Sequence, residues 1–422
     1  MAGFPAILRL AARGLLRNRR RSLLTGATIA LGVVAILFTQ AYIAGLRQLI
    51  RAFVVDGRDG ALQVQRRGYL AAQELAPLDL DLPSEGGLVE RLGRVPAIAA
   101  VAPRLRFVGL LANGETSTGI VGIAIDPARD RRVCPKGPGS AAARDPASPI
   151  GLVDGRGLRD ADEPVAVVAA GLAAALGLHA GARVTLLAQT ASGATDAVDL
   201  TVAGIYRLPD PEEDKHTVVV ALPIAQRLLH MPGRATALAL AVRDPNAVAD
   251  AVAAVRAAVA DVTPELEVHP WGDLAPYHRD IVKLQDDVLG VVLAIVFVLV
   301  LVGVVNSMLM SVFERTREIG TLMSIGLRRR RILTLFLLES LALGSAAALV
   351  GIGLGVLLIG AAHAHGVGFD IPAVGRVLNR PTLAPIFVLY ALGGAALAGV
   401  AGGVLPAVRA SRLRPIEALR AT

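Results

Sequence analysis

Four long apolar runs stand out along the chain, at residues 23–44, 288–312, 332–362 and 383–408. Each reaches the roughly 20 residues that a helix needs to cross the hydrocarbon core of a bilayer, so each is predicted to be a transmembrane helix. The first is too long for the apolar core of a cleaved signal peptide and is not closed by a small-x-small site, so it is kept as a span. Between the first and second runs the pattern changes to short strands and amphipathic turns. Residues 61–66 and 99–111 read as strands, with a short helix over 84–95 between them that ends at Pro96. A strand over 236–242 leads into a helix over 247–259, entered through Asp244-Pro245. Further strands are expected at 119–125, 165–168, 183–187, 198–206 and 217–221, and 135–149 reads as an exposed Gly/Pro/Ser/Ala loop. The fold class expected is therefore an α-helical membrane protein with four transmembrane helices and a large mixed α/β domain between helices 1 and 2. That domain is expected to have two subdomains, a pair of βα units flanking a strand-rich insertion.

Composition agrees with a membrane protein: 54% of the 422 residues are hydrophobic and the mean hydropathy is +0.57. The net charge of +8 suggests nucleic acid only until its position is noted. Three short stretches hold sixteen basic residues against three acids: residues 1–22, the segment 314–331 and the tail from Arg409. Residues 47–287 carry 25 basic and 30 acidic residues. The basicity follows membrane sidedness and argues against a nucleic-acid partner. It places both termini and the 313–331 loop in the cytoplasm, with 47–285 and 363–382 outside; Arg47 and Arg51 are exceptions to the rule. The expected segments are 1–22 (basic cytoplasmic), 23–46 (helix 1), 47–285 (external domain), 286–312 (helix 2), 313–331 (cytoplasmic loop), 332–362 (helix 3), 363–382 (external loop), 383–408 (helix 4) and 409–422 (tail).

Candidate chemistry is sparse. A phosphate loop needs Gly-Lys-Ser/Thr, and the three lysines, Lys136, Lys215 and Lys283, occur in no such setting. No cofactor is expected in this chain, and if ATP and magnesium drive it they are held by a partner ATPase. His363 and His365 are too few ligands for a zinc site, and no metal is expected. Neither Gly-x-Ser-x-Gly nor His-Glu-x-x-His occurs, so no catalytic residue is assigned and an enzyme is not expected. Cys134 is the one cysteine, which excludes an intrachain disulfide.

The 313–331 loop is the strongest candidate for a functional element. On a helix, Ile319, Leu322, Met323 and Gly326 form one apolar stripe, and Glu314, Arg315, Arg317 and Glu318 supply both signs of charge. Such a helix either seats its apolar edge in a groove on a partner or lies on lipid headgroups. The residues alone leave both open. The run from Glu314 to Gly326 (ERTREIGTLMSIG), followed by Phe336-Leu337-Leu338-Glu339-Ser340, resembles the hallmark of FtsX-like ABC transporter permeases, the family of the MacB and LolC/LolE types. The ending PAVRASRLRPIEALR from Pro406 to Arg420 resembles that family's usual tail. The segment around Ala170-Gly171-Leu172-Ala173 and Gly181-Ala182-Arg183-Val184 is similar to its periplasmic core domain.

The resemblance implies mechanotransmission of the type VII kind. A cytoplasmic coupling helix would dock on a separate ATPase, two copies serving a dimer made with a second permease copy or a paralogue. Glu314, Arg315, Arg317, Glu318, Ile319 and Leu322 occupy the matching coupling positions. It also implies the cytoplasmic (inner) membrane, contact with membrane lipid, and a periplasmic carrier or adaptor. The run Leu62-Gln63-Val64-Gln65-Arg66-Arg67-Gly68-Tyr69-Leu70 is similar to the LolC/LolE branch, which implies release of lipoprotein or lipid; export of a peptide, antibiotic or siderophore and control of cell-wall hydrolases are the alternatives. Glu339, inside the third span, is expected to form a structural ion pair with the arginines at 328–331 or with those of the N-terminus. Gly351 with Gly355, and Gly399 with Gly403, are spaced for close helix approach, either within one chain or at a dimer seam.

Overall fold

The computed structural model describes residues 19–137, 151–159, 161, 163–208, 210–245, 247–274, 276–371 and 375–412. Most of the 135–149 loop, the arginines before residue 19 and the tail beyond 412 lie outside them. In chain order the elements are α1 (Arg19–Phe53), β1 (Leu62–Arg66), β2 (Leu82–Pro83), α2 (Gly87–Gly93), β3 (Ile98–Ala112), β4 (Ser117–Ile125), α3 (Pro127–Val133), β5 (Gly151–Gly155), β6 (Val165–Ala169), β7 (Arg183–Gln189) and β8 (Thr195–Arg207). There follow β9 (Thr217–Ala221), β10 (Arg234–Ala235), β11 (Ala237–Val242), α4 (Val248–Val259), β12 (Leu266–Pro270), α5 (Pro276–Glu314), α6 (Thr316–Ser324), α7 (Arg329–His365), β13 (Val367–Ile371), β14 (Gly375–Asn379) and α8 (Pro385–Ser411), with further short helices between some of them. Two units result. One gathers Met1–Arg47, Val282–Val367 and Asn379–Thr422, the other Gln48–Ile281 and Gly368–Leu378.

The α/β unit is organised by β3, whose 15 residues serve two lobes. Its first half pairs with β11, which pairs with β1, which pairs with β12, all antiparallel. Leu62, Val64, Leu238, Leu240 and Val268 form the apolar face of this sheet, covered by α2 through Leu92 and by α4 through Ala251, Val252, Val255 and Val259. Those four α4 positions share one stripe of a 3.6-residue helix, which is why the segment docks rather than dissolves. The other face carries Ala102 and Ala239 with Val133 and Cys134 of the α3 region. Beyond this lobe, strand pairing runs β3–β4–β9–β6–β8–β7 and returns to β3, closing a six-stranded ring. Closure removes the open edges that a flat sheet of these strands would present. Phe107, Leu111, Ile120, Leu186, Val202 and Val218 fill its core. The strand-rich lobe is thus an insertion whose two flanking units share a strand with it.

In the helical unit, four segments are long and apolar enough to cross a membrane: Leu23–Asp59, Ile281–Glu314, Arg329–His365 and Pro385–Ser411. Ile29, Val33, Leu37 and Ala41 of α1 repeat every four residues and pack against Val300 and Val304 of α5, Ala347 and Ala348 of α7, and Ala391, Ala395 and Ala398 of α8. Alanine and glycine at these contacts let the backbones approach, as suits helices with no water to squeeze out. Leu31, Val291, Val302, Leu357 and Leu397 face outward. The first and second helices run well past the apolar stretches, to Phe53 and back to Pro276. Backbone hydrogen bonding continues where hydropathy stops, and Arg47 is held there by Asp286 at 2.6 Å. Arg51 donates to the Pro245 carbonyl, so both exceptions to the charge rule have partners. The 363–382 loop contains the two-stranded sheet β13–β14.

Candidate functional site

The chain between α5 and α7 folds as one short amphipathic helix, α6, whose two ends are defined by specific chemistry. Arg315, at φ −108° and ψ 14°, breaks the helix after Glu314. Thr316 Oγ1 donates to the carbonyls of Val312 and Phe313 at 3.0 and 2.9 Å. At the other end Leu327 N–H reaches the Leu322 carbonyl at 3.0 Å and Gly326 N–H the Met323 carbonyl at 3.0 Å. With Gly326 at φ +92° this is a Schellman cap, a left-handed position that a side chain would strain.

The faces of α6 differ from the expected single apolar stripe. Ile319 is 4% exposed and packs with Val312, Ile332, Phe336, Ala407 and Ala410 at the ends of α5, α7 and α8. Met323 and Leu327 press against the same cluster. Leu322 is 40% exposed and Ile325, just past the helix, 80%. Ile319 and Met323 therefore fix the helix to the bundle, and the outer edge is made by Leu322 and Ile325 with Glu314, Arg317 and Glu318, all exposed. This corrects the placement of Ile319 among groups offered to a partner: the cluster at 332, 336, 407 and 410 is a better apolar site for it than water. Ile325 was missed, although its three-residue spacing from Leu322 was the available signal.

Arg315 also turns inward. Its Nη1 lies 3.2 Å from Glu339 Oε1 and 3.3 Å from Oε2, and both side chains are largely buried, at 14% and 5% exposure. Among the described residues the partner of Glu339 is Arg315, in place of the expected 328–331 cluster; of the N-terminal arginines, Arg9, Arg13 and Arg17 lie outside them. The break at Arg315 directs its side chain back toward α7, whereas Arg328, Arg329 and Arg330 are exposed. A buried carboxylate with a guanidinium held in the same apolar setting keeps both groups in one geometry, because losing either partner leaves an uncompensated charge.

The four glycines mark close contacts within the chain. A Cβ on Gly351 would lie 2.6 Å from the Ala30 carbonyl oxygen, and one on Gly355 3.1 Å from Leu37, so both face α1. A Cβ on Gly399 would lie 3.0 Å from the Ser340 carbonyl and one on Gly403 2.2 Å from Ser340 Oγ, so both face α7. His363 Nδ1 lies 3.0 Å from the Pro381 carbonyl oxygen, and among the described residues no group of three or more potential ligands could hold a metal ion.

Residues 22–258 match the family described as MacB-like periplasmic core domain, and residues 290–415 that described as FtsX-like permease C-terminal. A macrolide export ATP-binding/permease protein MacB of Hyphomonas neptunium is 30% identical over 205 residues, 48% of this chain and 30% of that protein. The MacB of Bdellovibrio bacteriovorus is 42% identical over 120 residues, covering 28% of this chain and 17% of the relative. A pyoverdine export ATP-binding/permease protein PvdT of Pseudomonas fluorescens is 40% identical over 135 residues, 31% and 18% of the two chains. The chain thus spans less than a third of the length of these curated relatives. The periplasmic region of MacB from Actinobacillus actinomycetemcomitans overlays with a TM-score of 0.36 at 10% identity, over 55% of this chain and 98% of that one. The core-domain match alone takes in more than half of the 422 residues, and the permease match covers the segment that contains α6. The chain belongs to the FtsX-like ABC transporter permeases that carry a MacB-like periplasmic core domain.

Proposed function

We propose that α6 is the coupling helix through which a separate ATPase drives this permease. The observation that carries the reading is the two-faced seating of α6. One face is locked to α5, α7 and α8 by Ile319, Met323 and the Arg315–Glu339 pair. The other presents Leu322 and Ile325 beside Glu314, Arg317 and Glu318. An apolar edge flanked by charges of both signs suits a groove on a soluble partner, with the charges setting register. A push on the outer edge passes directly into packed helix ends, because a core of this density does not deform freely. The expected assembly is two permease chains, identical or paralogous, with two ATPase copies holding ATP and magnesium. It would sit in the inner membrane with the termini in the cytoplasm, in keeping with the arginine distribution.

The cargo reading is amphiphilic. Release of lipoprotein or lipid to a periplasmic carrier is supported by the 62–70 resemblance. A second reading, export with an adaptor, is favoured by the printed names of the relatives, which concern macrolides and pyoverdine. The test is purification of the tagged chain from its native membranes, with identification of every bound ATPase, lipid, lipoprotein and adaptor. Wild type should retain an ABC ATPase that Glu318→Arg with Leu322→Arg releases at unchanged melting temperature. Equal retention by the double variant would leave α6 as a headgroup-lying helix and overturn the proposal.

A further inference from the structure

Within the helical unit α1, α5 and α8 line a groove of about 420 Å³, within the size range of small-molecule sites. On α1 the lining extends from Gly32 to Gln40, on α5 from Leu293 to Val300 and on α8 from Tyr390 to Ala398. At 1.5 Å per residue each run is about 10–12 Å long, so the groove is elongated along the helix axes. Its depth follows from the apolar runs 23–44, 288–312 and 383–408, whose middles fall near Val33, Val300 and Ala395. The lining starts at Gln40, Leu293 and Tyr390, on the side where α1 leads into the α/β unit, and ends near those middles. A hydrocarbon core of about 30 Å gives one leaflet about 15 Å. The groove therefore occupies one leaflet and stops near the midplane.

The chemistry of the lining is graded along the same direction. Its polar side chains, Gln40 and Tyr390, stand at the outer end, where Tyr390 is 62% exposed. Everything deeper is apolar or glycine. At the inner end a Cβ on Gly32 would lie 3.0 Å from Val296 and 3.2 Å from Val300, so α1 and α5 close on each other there. On α8 a Cβ on Gly394 would meet nothing within 4 Å, and Ala391 and Ala395 beside it are also small. An empty apolar space of this size forfeits dispersion contacts, and water would find no partners along its length. Leu293, Val296, Phe297 and Val300 share one face of α5, whereas Val291, Ile295, Val298 and Val302 on the opposite face are more than half exposed. The groove thus belongs to one chain and is separate from the α5 face left open to bulk lipid or a second copy. The occupant it selects is long, thin and apolar with one polar end, and the surrounding bilayer is made of such chains. We infer that the groove holds one acyl chain of a phospholipid from the leaflet on the side of Gln40 and Tyr390. The polar end of the lipid lies level with those two residues and the chain runs inward to Val33 and Val300. This lipid is a resident of each permease chain and supplies the packing that α8 leaves unmade against α1 and α5.

The test is lipid retention by the full chain, purified in detergent and washed free of bulk phospholipid, with bound lipid extracted, counted by phosphorus and identified by mass. The readout involves no ATPase and no transport, so its failure is separate from failure of the coupling proposal. Wild type should keep one phospholipid per chain. Gly394→Leu fills the groove from its open wall and should keep at least tenfold less. Gly393→Leu, whose added Cβ also meets nothing within 4 Å but which lies outside the lining, should keep the wild-type amount. Stripping that lipid with a harsher detergent should lower the melting temperature of wild type and of Gly393→Leu. Adding dioleoylphosphatidylglycerol should restore it, and Gly394→Leu should respond to neither step. No retained phospholipid in wild type, equal retention by the two leucine variants, or a lipoprotein in place of the phospholipid would each overturn the inference.

Discussion

Arg315 and Glu339 show what single residues contribute to this permease. Each alone is a buried charge, and together they tie the turn before α6 to α7. Arg315→Met should destabilise the solubilised chain by about 3–5 kcal/mol, and adding Glu339→Leu should recover most of that loss. Thermal melting of the two variants checks it; equal melting of Arg315→Met and wild type would mean the pair is not formed. The same logic applies to Arg104, which holds Asp130. A second single-residue prediction concerns Cys134. Burial pushes its thiol up from 9.0 to about 12, with the Arg104 guanidinium only partly opposing the shift. Only the thiolate reacts, so at pH 8 roughly one molecule in ten thousand is reactive by this shift. A disulfide reagent should therefore titrate no thiol in the folded protein and one per chain in denaturant. Because the folded value is the higher one, the thiol contributes stability below pH 9 that is lost as the pH rises towards about 12. At this scale the sequence shows which residues are charged and apolar in 314–326 but not which way they face. The direction of Ile319 and Arg315 depends on Ile332, Phe336, Glu339 and Ala407, which are distant in sequence and adjacent only after the helix ends assemble.

Helices and strands were legible to different degrees for physical reasons. The apolar runs announce four long helices, yet α1 and α5 continue into polar sequence because intrahelical hydrogen bonds need no hydrophobicity. Strands such as β4, β6 and β9 are rich in valine, isoleucine and alanine and were readable. β5 and β12 were not: Gly-Leu-Val-Asp-Gly and Leu-Glu-Val-His-Pro carry glycine, charge or proline, as end strands tolerate. Helix contact was legible as glycine spacing but not as to partner, which the structure assigns to α1 for one pair and α7 for the other. Gly351→Leu should push α7 from α1 and cost about 1–3 kcal/mol or more through overpacking. Gly353→Leu, where an added Cβ meets nothing within 4 Å, should melt within about 0.5 kcal/mol of wild type. Similar losses in both would show that α7 does not pack on α1 through Gly351.

For the whole molecule, the pattern of one apolar run, an α/β domain and three further runs was readable from hydropathy, and the charge distribution carries the expectation of cytoplasmic termini. What sequence could not supply was the sharing of β3 by both lobes, because two of its three pairing partners, β11 and β7, lie far along the chain. The proposed function places α6 between this bundle and an ATPase, its outer edge docked and its inner edge locked. Site-specific photocrosslinking from α6 in native membranes tests this most directly, with the photoreactive side chain placed in turn at Ile325, Leu322 and Ile319. Crosslinks to an ABC ATPase from positions 325 and 322, and only intrachain products from 319, are expected. Crosslinks from 325 and 322 to lipid alone, or ATPase products from 319, would contradict the coupling assignment.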